Sequence, residues 1–450
     1  MICRFARVSD TGRFYYPTSH ISKIKEVFIT MTLQSLIAKT YGRFHPGWHR
    51  LLIPCIVCMT VFPMIVPVAG ATHVDNPSEP AHDQLIIRAT ELWRVGGEDD
   101  ERFFGNIASV KSDEEGNVYL LDSQLSEVSV YSPDGIFIRT LSREGDGPGE
   151  VRRPGDMFFA LDGTVGLVQT FPGKIIRVYP DGTPAGVLNY SMGDPSQGRF
   201  GVLVRGLARG NVFLLAGIRM SFGADGSSTQ TYFLSRCNED GTEIHTYASK
   251  ETMVNYADFV LSEMDMDFAW GRFELDSDGL LYIAPERNEY KIYVYNPDGD
   301  LLRSFGRQYE SYERKDDDLK TARETLDAVG RNYPVRPREI VVEDTEPDIG
   351  TLYARNDGTI WITTSRGDRD VPDGAMRVMD VFDSDGRFTR QAVLMLPGDA
   401  LKDAFYVIGD NRAVIVKGAL DAYISGQGVV GDSEDEDETV LEIICYSLTM

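Results

Sequence analysis

The strongest constraint in this chain is a short strand–turn–strand pattern that recurs along most of its length. The clearest copy runs from Asp113 to Arg153. In it NVYLLD, EVSVYS and IFIRTL have the Val, Tyr and Ile content and the near-alternation of half-buried strands. Asp113 to Gly116 and Ser132 to Gly135 read as tight turns in which glycine supplies the positive φ. Gly145 to Glu150 is too rich in glycine to be anything but a connection. A module this small cannot bury both of its faces, so it has to pack on copies of itself.

Those copies begin at Phe158, Gly206, Arg272, Leu352 and Phe405. Their first-turn residues, starting with the first unit, are Gly116, Gly163, Gly210, Gly279, Gly358 and Asn411. A constant core with insertions of varying length is the sequence signature of radially repeated sheets. The last copy ends without an outer strand. Ile86 to Val95 is predicted to supply it by pairing with Val440 to Leu448, which removes a free sheet edge. The expected fold is therefore all-β: a six-bladed β-propeller over residues 85–450, closed by an N-terminal strand that completes the last blade. A helical insertion is expected between blades four and five, because Leu319, Ala322, Leu326 and Val329 fall at helical spacing. Thr246 to Phe268 is a second insertion, helical in part. Aromatic residues at matching places in the units (Tyr119, Tyr131, Phe158, Tyr179, Phe213, Phe233, Tyr282, Tyr295, Trp361, Phe382) read as packing between adjacent sheets.

Residues 1–71 differ from all that follows. They are basic, then apolar from Leu51 to Val68, and end in Ala69-Gly70-Ala71, the three parts of a secretory signal peptide. Met31 would give a more ordinary leader length. An uncleaved single-span anchor is the competing reading, since the apolar run is about the minimum ~18 residues for spanning; Pro63, Pro67 and the small-residue ending favour cleavage. Thr72 to Gln84 is polar and reads as a linker. Export to the periplasm, cell surface or medium is the expected destination, with membrane contact only through an uncleaved leader.

The whole chain has a net charge of −24, and removing a basic leader makes the remainder more acidic still. Such a surface repels phosphate backbones and argues against nucleic-acid binding. Past the leader the cysteines are Cys237 and Cys445, in third strands of units three and six, on opposite sides of the ring. Disulfide Cα atoms must lie within about 7 Å, so both are expected to be free thiols. The acidic run Asp432 to Glu438 lacks EF-hand spacing and reads as a solvated loop.

At the Gly-rich connections the sequence resembles NHL-repeat-type six-bladed propellers, with closest likeness to exported bacterial examples. Gly145-Asp146-Gly147-Pro148-Gly149-Glu150-Val151 with Pro154, Asp162-Gly163 and Val178-Tyr179-Pro180-Asp181-Gly182 carry the likeness. Asp278-Gly279, Leu281-Tyr282-Ile283 and Val294-Tyr295-Asn296-Pro297-Asp298-Gly299 repeat it. The resemblance implies an architecture over residues 85–450. It implies little about function, because one fold hosts many.

In that architecture the innermost strands line a channel, and arginines recur near their entries: Arg153, Arg205, Arg272 and Arg338, with Trp270 beside Arg272. Guanidinium groups gathered there would suit a small carboxylate, sulfate or phosphate ligand. Alternatively they pair with Asp156, Glu274 and Glu339 and brace neighbouring blades. Histidine-ligated zinc is disfavoured, since the chain past the leader has only His73, His82 and His245. No Gly-x-Ser-x-Gly elbow, Walker loop or dinucleotide fingerprint is present. No cofactor is expected, although carboxylate-bound Ca²⁺ is compatible with the abundance of acids. The reading is an exported binding propeller whose partner is an unknown protein or a small anionic ligand. A calcium-dependent lactonase-like hydrolase and a cell-envelope assembly scaffold using the helical insertion are the alternatives.

Overall fold

The computed structural model describes residues 71–98, 100–190, 198–223, 226–427 and 440–449. The basic leader and the acidic run Asp432 to Glu438 lie outside them. The chain is mostly β, with few helices, in a propeller-like arrangement of small antiparallel sheets. Strands β1 (Thr72–Asn76) and β2 (Leu85–Gly96) come first. One sheet holds β3 (Ile107–Ser112), β4 (Val118–Asp122), β5 (Glu127–Tyr131) and β6 (Phe137–Thr140) in sequence order. The next holds β7 (Pro154–Phe159), β8 (Val165–Gln169), β9 (Lys174–Val178) and β10 (Pro184–Leu188). A third is made of much longer strands, β11 (Arg199–Arg209), β12 (Val212–Phe222), β13 (Ser227–Cys237) and β14 (Glu243–Asn255).

After β15 (Val260–Ser262) and the one-turn helix α1 (Glu263–Met266) comes the sheet β16 (Phe273–Leu275), β17 (Leu281–Ile283), β18 (Lys291–Tyr295) and β19 (Leu301–Arg307). An insertion then carries α2 (Asp316–Gly330) and β20 (Glu339–Val341), the latter paired parallel with β15. Strands β21 (Ile349–Ala354), β22 (Ile360–Thr364), β23 (Arg377–Phe382) and β24 (Phe388–Met395) follow. The chain ends with β25 (Ala404–Ile408), β26 (Arg412–Lys417), helix α3 (Ala419–Ser425) and β27 (Glu442–Thr449). Leu85 to Arg88 of β2 run parallel to β24, and Arg88 to Gly96 run antiparallel to β27, so these last strands join into one eight-stranded sheet.

Buried apolar side chains gather between successive sheets. Tyr119, Leu121 and Val128 of the first sheet meet Met157, Leu167 and Ile176 of the second. Phe158 and Ile175 meet Phe213 and Phe233, and Leu214 and Tyr232 meet Phe273 and Ile283. Ile292 and Phe305 meet Ile360 and Phe382; Met379 and Leu394 meet Phe405 and Ile444. Finally Val414, Val416 and Cys445 pack on Val118, Leu120 and Tyr131 of the first sheet. Each fully buried side chain of this size contributes roughly 1.5–3 kcal/mol, so these layers carry most of the fold's stability. Trp93 of β2 sits over the turn at Gly135 and donates its indole N–H to the Pro133 carbonyl at 3.1 Å. A Cβ at Gly135, where φ is 80°, would stand 2.4 Å from the Trp93 ring.

Some expectations need correction. Thr72 to Gln84 was expected to be a linker, but Thr72–Asn76 is a strand parallel to β19. It adopts strand geometry because Val74 and Asn76 alternate inward while Thr72, His73 and Asp75 stay outside. The third unit is expected from Gly206, yet its strands begin at Arg199 and run longer, because each continues alongside its neighbour: Arg199 pairs with Ser221, Phe222 with Ser228, and Ser227 with Asn255. Tyr179, expected in a sheet interface, is 47% exposed on a turn after β9. The helix over Asp316–Gly330 is present, and of its apolar stripe Leu326 is buried, against Phe259 and Leu261. Cys237 and Cys445 are buried free thiols. Burial pushes Cys237 up to about 12 and Cys445 up to about 11.

Candidate functional site at the crowned end of the ring

The first strands of successive sheets lie side by side around the centre: β3 by β7, β7 by β11, β11 by β16, and β16 by β21, with β25 by β3. Polar groups lace them together. Asp156 on β7 accepts the Gly206 N–H at 3.2 Å. Arg205 on β11 reaches Glu274 on β16 at 3.2 Å, donates to the Trp270 and Phe273 carbonyls at 3.0 Å each, and lies over the Phe273 ring. Tyr353 on β21 donates to the Phe405 carbonyl at 3.0 Å, and Tyr406 on β25 reaches the Ile107 carbonyl at 3.5 Å. Burial pushes the Tyr353 phenol up to about 12 and raises Tyr406 further, so both stay protonated donors at neutral pH.

Above one end of this channel stands a crown built by the long β11–β14 sheet, the connection through α1, the loop after β17, the α2 insertion and the loop after β22. Its base is a lattice of alternating charges. Arg272 donates to Asp267 at 2.7 Å, and Asp267 also lies 3.6 Å from Arg287. Arg287 donates to Glu263 at 2.9 Å and to the Thr345 carbonyl at 2.7 Å. Arg314 makes two bonds to Glu263, at 2.6 and 2.8 Å, and one to Glu346 at 3.0 Å. Arg369 bridges Glu346 (2.7 Å) and Asp318 (3.2 Å), and Asp318 caps α2 by accepting the Lys315 N–H. Arg272 and Arg287 are almost wholly buried.

Burial alone would raise Glu263, but hydrogen bonds from Arg314 and the Glu343 N–H, with the charges of Arg287 and Arg314, outweigh it and hold the carboxyl below its usual range. Asp318 is lowered in the same way by the Lys315 N–H and Arg369. Asp348 and Asp368 go the other way. Burial dominates at both and raises them, although Arg287, Arg307 and Arg272 oppose it at Asp348 and Arg377 at Asp368. Such a lattice is costly to desolvate, and removing one member leaves an uncompensated charge.

The arginines singled out from sequence separate in space. Arg205, Trp270 and Arg272 come together where the channel meets the crown. There the Trp270 ring packs on Phe268 and Tyr232, 4.9 and 5.8 Å away. Arg205 is paired with Glu274 on the next sheet, as in the bracing alternative, whereas Arg272 is paired with Asp267, five residues earlier on the same connection. Arg153 is exposed at the entry to β7, with φ 44° and its N–H on the Ser126 hydroxyl. Arg338 precedes β20, not the channel strand β21 (Ile349–Ala354), because its neighbours pair with β15 outside the ring. It is largely exposed and faces Asp258 at 2.8 Å and Glu339 at 3.7 Å.

Sequence reading missed Glu263, Asp267, Arg287, Arg314, Glu346 and Arg369. They lie on the connections between strands rather than in the repeat itself, and no regular spacing links them. Among the described residues no group of three or more His, Cys, Asp or Glu side chains is placed to hold a metal ion. The channel carboxylates Asp156 and Glu274 are spent on a backbone N–H and a guanidinium, a poor fit to the six to eight oxygens that Ca²⁺ takes. No described helix is long and apolar enough to cross a membrane. Between α2, β20 and α3, a groove of about 500 Å³ is lined by Arg323, Glu324, Asp327, Arg331, Ile340 and Ile424.

Neither a family model nor a curated protein matches the chain. Solved structures do resemble it. A candidate exported protein of Bacteroides fragilis is 13% identical with a TM-score of 0.44, the match covering 83% of this chain and 99% of that one. A member of the DUF4221 family from Bacteroides vulgatus is 12% identical with a TM-score of 0.42, over 81% and 98% of the two chains. Regucalcin of Agrobacterium tumefaciens, a calcium-binding protein, is 11% identical with a TM-score of 0.38, over 81% and 96%.

Proposed function

We propose that this chain is a six-bladed, NHL-type propeller that works, after export, as a protein-binding module through its crowned end. In this reading the eight-stranded sheet is two blades joined by β2, which completes the last one. The apolar layers between successive sheets, including the layer from β26–β27 back to the first sheet, support a ring of six. The leader-like composition of residues 1–71 supports export.

The observation that carries the binding role is the lattice from Arg272 to Asp318. It fixes the insertion and its groove rigidly on one end of the ring, and its guanidinium groups are already matched by carboxylates. A small anion at Arg205 or Arg272 would have to displace Glu274 or Asp267, so a protein surface resting on the crown fits better than an open anion throat. A lactonase-like calcium enzyme would need carboxylates freed from these same partners.

Site-specific photocrosslinking in cells tests this. A crosslinker at Arg323 or Lys320 on the crown should trap one discrete partner, and one at Asp181 on the opposite, uncrowned half should not. Equal trapping from both sites would refute the docking face. Turnover of a lactone abolished by chelation would favour the enzyme.

A further inference from the structure

The sheet β16–β19 has the same four strands as its neighbours, and β1 is a fifth, laid parallel along its outer edge. Thr72 stands opposite Arg303, Val74 opposite Phe305 and Asn76 opposite Arg307. Val74 packs against the cluster that contains Phe305, Phe382 and Phe388. Asn76 is buried, and its amide is fully engaged. Its nitrogen donates to the Gly306 and Gly386 carbonyls at 2.8 and 2.9 Å, and its oxygen accepts the Phe388 N–H at 2.9 Å. The Gln308 N–H donates to the Asn76 carbonyl at 3.0 Å, continuing the ladder.

All the amide's partners are main-chain groups, contributed by two adjacent sheets. Two acceptors face the NH₂ and one donor faces the oxygen, an arrangement that reads a carboxamide and rejects a carboxylate, which would set charge against two carbonyls. The pocket's walls are close-fitting: Gly386 has φ 83°, and a Cβ there would stand 2.6 Å from the Phe305 ring. Beyond Asn76, Pro77 to Asp83 is irregular and almost entirely exposed.

We propose that this edge is a recognition site for an extended Val-x-Asn peptide, added parallel to β19, and that Thr72–Asn76 fills it as a tethered ligand. Main-chain bonds along the edge supply affinity, and the pockets for alternate side chains supply specificity. The partner in trans is a protein segment that presents Val-x-Asn in extended form. A short tether gives the chain's own strand an effective concentration on the order of millimolar, so a competing segment gains entry once the tether is cut or the strand displaced. The site lies on a blade's outer edge and is independent of the crown reading.

The test uses the full chain with a site-specific protease sequence placed within Pro77 to Asp83. After cleavage, a fluorescent peptide of sequence Thr-His-Val-Asp-Asn should exchange into the edge saturably, and the same peptide ending in Ala should bind about tenfold more weakly or worse, the loss of roughly one buried hydrogen-bonded group. A cleaved, folded protein that takes up neither peptide, or both equally, overturns the proposal. A second measurement covers a cleaved chain that fails to fold: the free peptide should raise the Tm of the uncut Asn76→Ala variant and leave the wild type unchanged. No shift in the variant, or the same shift in both, overturns it as well.

Discussion

The first two sheets and the three that follow them are built from one repeat, yet they are stabilised differently beyond their shared apolar layers. In β3–β10 the strands are four to six residues long. Their interface is an aliphatic and aromatic layer around Leu121, Met157 and Leu167. The ion pairs on that side, such as Arg152 with Glu144 and Asp146, are exposed. In β11–β24 the same layers persist, but strands of 11 to 13 residues and two insertions rise over one end. Those additions are bonded to the ring by buried charges. The difference separates a scaffold that any apolar residue of suitable size can fill from an attachment that depends on named partners.

The sharpest way to break that contrast is Glu263→Ala, which strips the shared carboxylate from Arg287 and Arg314. A loss of about 4 kcal/mol is expected. Hydrogen exchange should show it concentrated in α1, α2 and β20, and a uniform loss over all sheets would erase the distinction. Leu167→Ala acts on the uncrowned half and should cost about 3 kcal/mol through its cavity. That loss should appear as global destabilisation in denaturant, with the crown's exchange pattern unchanged relative to the rest.

Titration sharpens the comparison further within the crown. Glu263 has a lowered folded pKa, so its contribution is present above the ordinary glutamate range and is lost as pH falls through the folded value. Asp348 has a raised one, so stability falls as pH rises from the ordinary aspartate range through its folded value. Asp348→Asn should therefore be neutral or stabilising by about 1 kcal/mol at pH 7, where Glu263→Gln destabilises. Two losses of the same sign would show that the lattice does not split in this way. At the small end, Arg152→Ala on the uncrowned half should leave Tm unchanged within error, and a clear drop would mean that exposed pairs matter there too.

Much of the architecture was legible because it rests on local chemistry. Asp-Gly turns, period-two alternation and a 3.6-residue apolar stripe each act within a few residues, so the turns at Gly116 and Gly135, the repeated strands and the helix near Leu326 can be read directly. The expected pairing of Ile86 to Val95 with the C-terminal strand holds for Arg88 to Gly96 against Glu442 to Thr449, whereas Ile86 and Ile87 pair with β24, a partner that no local pattern announced. The length of β11–β14 was not legible, because a strand's end depends on whether its neighbour continues beside it. Strand β1 was hidden for the same reason: five residues with a single aliphatic side chain become a strand only when an edge and an amide pocket are waiting.

The candidate site shows the same division. From the sequence alone came the charge balance, the free thiols and the presence of arginines near the starts of channel strands. Whether those arginines would face a ligand or a carboxylate was beyond it, since Arg272 meets Asp267 through a tight local turn while Arg314 meets Glu263 across 51 positions of sequence. Strand and turn preferences are properties of neighbouring residues and survive in any fold. The partner of a buried charge is chosen by desolvation and by distances that exist only once distant segments have come together, and for that reason the tertiary structure alone could assign it.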